Sequence, residues 1–142
     1  MDQEQDDPMV ITIELENFAV KKVLIDQGSS VDILYWVTYK KLQLPIDAMV
    51  PYDEPIDLHT VLRKRYQTKT ILVRLLVVEA HTSYNVLLGW PSLNTLGTIV
   101  STPFLAMKFL SSSSDIITIH GDQKSLSLPL TILNESPKPT WP

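Results

Sequence analysis

Cysteine is absent from this chain of 142 residues, which excludes disulfides, thiolate nucleophiles and thiolate metal ligands. The redox compartment stays open. Glycine occurs at four positions, Gly28, Gly89, Gly97 and Gly121, so there is no glycine-rich loop of the kind that cradles phosphates. A Gly-x-Ser-x-Gly elbow is missing too, and neither Ser29 nor Ser30 reads as the nucleophile of a serine hydrolase. His59, His81 and His120 show no metal-ligand spacing with one another or with nearby acids. No metal and no other cofactor is expected. Positive charge is scarce: 12 Lys and Arg against 16 Asp and Glu give a net charge of −4, the wrong sign for a general nucleic-acid binder. Arg63-Lys64-Arg65 is a short basic cluster and reads as a solvated turn. No apolar run approaches membrane-spanning length. The N-terminal MDQEQDDP is acidic and polar, unlike a secretory signal. The expectation is an intracellular, cytoplasmic protein with no membrane and no nucleic-acid partner.

What is present is 44% hydrophobic, enough for one domain to build its own core or for a small fold that dimerises. Residues 1–8 read as a disordered acidic lead-in. From Val10 the chain alternates. Ile11, Ile13 and Leu15 fall on one side; Val10, Thr12, Glu14 and Glu16 fall on the other, the pattern of a half-buried strand. Asn17-Phe18 supplies a turn, and 19–25 the return strand of a hairpin. Residues 31–42 fit either a short helix or a strand followed by a helical turn. Prolines and acids across 45–57 mark a loop. Strands are expected over 70–79, 84–88, 99–100, 105–110 and 116–120. A short helix is expected over 91–96, with Pro91 near its first turn. Ser111 to Ser114 reads as a flexible hairpin tip or linker. The proline-rich tail, 125–142, reads as unpacked. Many short strands, frequent turns and little helix make an all-β barrel or sandwich.

One stretch does not fit a plain core strand. In VLIDQGSSVDILYW (23–36) an apolar run ends abruptly in Asp26, followed by Gln27, Gly28, Ser29 and Ser30. Gly28 allows a tight turn and the close approach of another chain. The Ser29 hydroxyl is placed to orient the carboxylate by a hydrogen bond. The same residues also make an ordinary Asx turn, in which the Asp merely closes a loop. Spacing alone leaves both readings open.

Together with TSYNVLLGWPSLNTLGTIVSTPFLAMKF (82–109), this stretch resembles the aspartic protease domain of plant gypsy-type retrotransposon polyproteins. The likeness runs from Met9 to Gln123, which sets the domain at 9–124. Its paired signals are the Asp-x-Gly-Ser-Ser loop and the apolar-apolar-Gly element Leu87-Leu88-Gly89 ahead of a short helix. The resemblance implies a small closed retropepsin-like barrel with one or two short helices. It implies a homodimer, because each chain supplies one catalytic Asp. Asp26 would be that residue, supported by Gln27, Gly28, Ser29 and Ser30, with Leu87, Leu88 and Gly89 lying beneath the loop. The substrate would be a polypeptide, hydrolysed by an activated water without any cofactor.

The sequence also departs from the family pattern. Gln27 stands where Thr or Ser usually braces the two loops across the dimer. The glycine-bearing flap hairpin is missing: PYDEP runs straight into IDLHTVLRKRYQTKTILV, as if a hairpin were excised between Pro55 and Ile56. Trp90 follows Gly89 where the family has Arg. The segment KSLSLPLTILNESPKPTWP is unrelated to the family. The expectation is therefore a retrotransposon-derived aspartic endopeptidase weakened or inactivated by loss of its lid. The alternative is a catalytically dead relic that serves as a dimerisation or protein-binding module.

Overall fold

The computed structural model describes residues 8–44, 54–122 and 132–133. Strands β1 (Val10–Leu15) and β2 (Phe18–Ile25) form the expected antiparallel hairpin, with Ile11, Ile13 and Leu15 buried. The turn falls one residue earlier than the sequence suggests, at Glu16-Asn17, because Phe18 is already paired with Leu15. Both turn residues have positive φ, 45° and 78°, the handedness that lets a two-residue turn follow strand twist.

The register slips once. Ile11 faces Val23 but Ile13 faces Val20, so Thr12 opposes both Lys21 and Lys22 in a bulge, and Lys22 takes φ 58°. A bulge leaves carbonyls without ladder partners. Asn85 supplies them: its backbone N–H donates to Lys22 O at 3.0 Å and its Nδ2 to Lys21 O at 2.6 Å. Its Oδ1 accepts from the Thr38 hydroxyl at 2.7 Å, so this buried amide is satisfied on both oxygen and nitrogen. Asn85 thereby starts β6 (Val86–Leu88) alongside β2, in parallel, just past the bulge.

Residues 31–42 resolve as a strand, β3 (Asp32–Tyr35), running directly into a helix, α1 (Trp36–Leu42). Lys40 and Lys41 occupy the last turn, where cations suit the helix dipole, and Gln43 in left-handed conformation closes it. Next come β4 (Pro55–Lys64) and β5 (Gln67–Val78), paired along their whole length from Pro55↔Leu76 to Lys64↔Gln67. This corrects three expectations. Residues 55–57 are strand rather than loop, Arg63 and Lys64 are strand too, and β5 begins at Gln67. Proline is tolerated as the first residue of a strand, and Ile56, Leu58, Thr60 and Leu62 alternate and are all buried. Only Arg65-Tyr66 forms the turn, with Tyr66 97% exposed. Arg63 forks onto Glu14 of β1 at 2.7 and 3.2 Å.

The pairings close on themselves. β4 pairs with β1 at Glu14↔Val61 and Leu15↔Thr60; β5 runs parallel to β3; β3 is antiparallel to β6; β6 is parallel to β2. The result is a closed six-stranded mixed barrel, which abolishes open edges around the core. The barrel expectation holds.

Helix α2 (Trp90–Leu96) follows β6 and ends at Gly97, whose φ of 66° lets its N–H return to Asn94 O. Strands β7 (Ile99–Ser101), β8 (Ala106–Leu110) and β9 (Ile116–His120) make a second, three-stranded sheet. The serine-rich turn between β8 and β9 is held internally: the Ser111 hydroxyl accepts from the N–H groups of Ser113 (3.2 Å) and Asp115 (3.1 Å). In the tail, expected to be unpacked, Ile132–Leu133 form strand β10 against Val20 and Ala19 of β2. The acidic lead-in up to Asp7 and the rest of the tail lie outside the described residues.

Candidate active site

Strand alternation decides what surrounds Asp26. Directly paired residues share a face of a sheet. Val23, Val86, Leu34 and Val77 are paired in sequence across β2, β6, β3 and β5, and all are fully buried in the core. One residue along, Leu24, Leu87, Ile33 and Leu76 form the matching row on the opposite face. Leu24, Ile33 and Leu76 are half-buried, as are Tyr35 and Val78, the next pair along on that face. Asp26 lies two residues beyond Leu24, so this apolar wall flanks it.

Asp26 itself leaves the end of β2 half-buried. Its N–H donates to Leu88 O at 2.9 Å, extending the β2–β6 ladder by one bond. Its Oδ1 accepts the Gly28 N–H at 3.0 Å, and its carbonyl accepts the Ser29 N–H at 3.2 Å. The loop is thus an Asx turn in geometry, and the turn holds the carboxylate rather than hiding it. Gln27, Gly28 and Ser30 stand exposed. Ser29 supports the loop through its backbone; its hydroxyl donates to Val31 O at 2.7 Å and so is turned to Val31, not to the Asp26 carboxylate.

Leu87-Leu88-Gly89 lies directly against this loop. Trp90 N–H donates to Ser29 O at 2.8 Å. A Cβ on Gly89 would run into the Val31 carbonyl and sit 2.8 Å from the Ser29 carbonyl, so only glycine permits this contact. The two sequence signals, about sixty residues apart, are one structural unit. Trp90 is 54% exposed and Val31 40% exposed beside the loop.

Sequence reasoning missed two participants. Asp32 is 4% exposed, on the core side of β3. Its Oδ1 accepts the Gly89 N–H at 2.7 Å and its Oδ2 the Ser92 hydroxyl at 2.8 Å, and the Ser92 N–H adds a further bond. It therefore caps the first turn of α2 from another strand. Burial pushes its carboxyl above the usual range, and the three donors pull it back only in part. With the folded value raised, Asp32 favours the fold most at low pH, and that contribution is lost as pH rises through the folded value. The signal for Asp32 was present: alternation in VDILY puts it on the same side as buried Leu34. Tyr35 is the second. Burial first, then the charges of Asp26 and Tyr84, push its phenol upward, which places Tyr35 electrostatically close to Asp26.

Between β3 and β6 the described chain forms one hairpin, β4–β5. It is wall rather than lid, paired to β1 on one flank and to β3 on the other. Pro55 and Ile56, where the sequence suggests an excised flap, are consecutive residues of β4. Residues 45–53 lie outside the described residues. Among the described residues no cluster of His, Asp and Glu is placed to hold a metal ion, and no helix is long and apolar enough to cross a membrane.

The sequence matches no protein family and no curated protein. Solved structures do match. The retroviral protease-like domain of Ddi1 from Leishmania major superposes with a TM-score of 0.64 over 89% of this chain and 100% of that domain, at 12% identity. At that identity the likeness is one of fold: the barrel is retropepsin-like.

Proposed function

We propose that the chain is half of an aspartic endopeptidase site, completed when two copies bring their Asp26 loops together. The supporting observation is the geometry of the loop: a half-buried carboxylate, turned by Gly28 and docked on Leu87-Leu88-Gly89, within a retropepsin-like barrel. The exposed Gln27, Gly28 and Ser30, with Val31 and Trp90 beside them, form the face on which the second copy would sit. Two carboxylates a hydrogen bond apart cannot both ionise readily, so they hold one proton between them and titrate as a pair. The ionised Asp26 takes a proton from a bound water as its oxygen attacks the scissile carbonyl carbon. The protonated Asp26 of the other copy donates to the carbonyl oxygen. Collapse of the tetrahedral species breaks the C–N bond: the Asp26 that took the water's proton passes it to the amine, and a hydroxyl of the diol returns its proton to the other Asp26 as the carbonyl re-forms. Side chains of an extended apolar peptide would rest on Leu24, Ile33 and Leu76. The plant retrotransposon origin belongs to the same proposal and rests on the sequence resemblance of 23–36 and 82–109.

A second reading, a relic that dimerises or binds protein without cleaving it, is favoured by exposed Trp90 in place of Arg and by a β4–β5 hairpin built into the wall. The endopeptidase needs two copies and cleaves; the relic, whether it dimerises or binds another protein, does not cleave, so hydrolysis separates them. Peptide hydrolysis at acid pH should be blocked by pepstatin and fall at least ~10³-fold in Asp26→Asn, in line with loss of an essential catalytic group. Hydrolysis unchanged by that substitution defeats the aspartic mechanism. No hydrolysis by a protein that sediments as a dimer establishes the relic.

A further inference from the structure

Asp26 and Asp32 are joined by a single peptide group. Asp26 N–H donates to the Leu88 carbonyl at 2.9 Å, and the N–H of that same amide, on Gly89, donates to Asp32 Oδ1 at 2.7 Å. The carbonyl and N–H of one amide polarise together. A negative charge at the N–H end makes the carbonyl oxygen a better acceptor. We propose that the Leu88–Gly89 peptide carries the charge state of Asp32 to the backbone of Asp26, making Asp32 a positioning residue whose ionised form tightens the Asp26 loop. The functional meaning rests on the endopeptidase reading; the coupling itself does not.

The choice of residue supports a role for charge. A neutral cap would avoid the cost of burying an ion. An Asn here would offer one acceptor oxygen to three donors, the Gly89 N–H, the Ser92 N–H and the Ser92 hydroxyl. Asp32 accepts from all of them. It also grips both ends of the docked segment, Gly89 through Oδ1 and Ser92 through Oδ2, while Trp90 between them donates to Ser29 O. The surroundings bring little competing charge. Neither β6 nor α2 carries an ionisable side chain. On β5, Asp32 is paired with Leu75, and the adjacent Arg74 is held by Asp57 at 2.9 Å. Beyond the far end of β3, α1 carries Tyr39, Lys40 and Lys41. Beside the loop, Tyr35 interacts electrostatically with Asp26 and Tyr84.

Amide NMR across an acid titration tests this without requiring cleavage. The Gly89 amide should shift with the ionisation of Asp32, and the Asp26 amide should show a step at the same midpoint. That step should survive in Asp26→Asn, which removes the loop's own titration. Ser92→Ala deletes one donor to the carboxylate, so the Asp32 midpoint should rise and both amide steps should rise with it. In Asp32→Asn the shared step should vanish. The proposal is overturned if the Asp26 amide stays flat while Gly89 titrates, or if its step ignores Ser92→Ala; this second variant decides the matter should Asp32→Asn fail to fold. Coupled amides in a protein that cleaves no peptide defeat the endopeptidase reading alone. Cleavage with uncoupled amides defeats the positioning role alone.

Discussion

Gly28 and Gly89 lie on the two sides of one junction, and they are glycines under different pressures. At Gly89 the neighbours are the chain's own carbonyls, from Ser29 and Val31, and a methyl group has nowhere to go. At Gly28 a Cβ would meet only Asp26 Oδ1 at 3.5 Å, ordinary van der Waals contact, and the residue is exposed. The contrast extends outward. Around Gly89 the polar groups find partners within the chain: the Asp32 carboxylate, the Ser92 hydroxyl, the Leu88 and Ser29 carbonyls. Around Gly28 the loop turns its face to solvent beside half-exposed Trp90 and Val31. One region is explained by the monomer. The other is an exposed turn, the face that the proposed second copy would cover.

Substitutions sharpen this difference. Gly89→Ala should be the most damaging, destabilising the fold by about 2–4 kcal/mol, because backbone on one side or the other must shift to admit the methyl; denaturant unfolding measures it, and a change under about 0.5 kcal/mol would break the comparison. Gly28→Ala should leave the unfolding free energy within about 0.5 kcal/mol of the parent yet weaken self-association, read by sedimentation over a range of concentrations. If it destabilises the fold as Gly89→Ala does, the loop is an internal feature and not an interface. Arg74→Ala, which removes an exposed cross-strand pair with Asp57 on the barrel wall, should change neither readout, since ion pairs this exposed contribute little.

Much of the fold could be read in advance, and particular residues show why. Ile11, Ile13 and Leu15 alternate in the sequence and are buried in the barrel. Pro91 stands in the first turn of the short helix α2, as its position in the sequence suggests. The same period lay in Ile56, Leu58, Thr60 and Leu62, but the prolines at 45, 51 and 55 drew the reading toward a loop. The Asp26 loop and Leu87-Leu88-Gly89 were both visible as segments. What was not visible was Asp32 as the cap of α2, with its partners 57 and 60 residues away. Asn85 as the partner of a bulge 64 residues earlier was equally hidden.

Alone, the sequence determined where most strands and turns fall, β4 excepted, and that a carboxylate emerges from the end of an apolar strand. Those are local matters, set by which side chains alternate and which backbones can turn. The tertiary structure decided that β6 enters beside β2 in parallel, that Gly89 presses on the Asp26 loop, and that a second Asp is buried behind it. Hydrogen-bond partners across distant strands depend on register, and register is fixed only when the barrel closes.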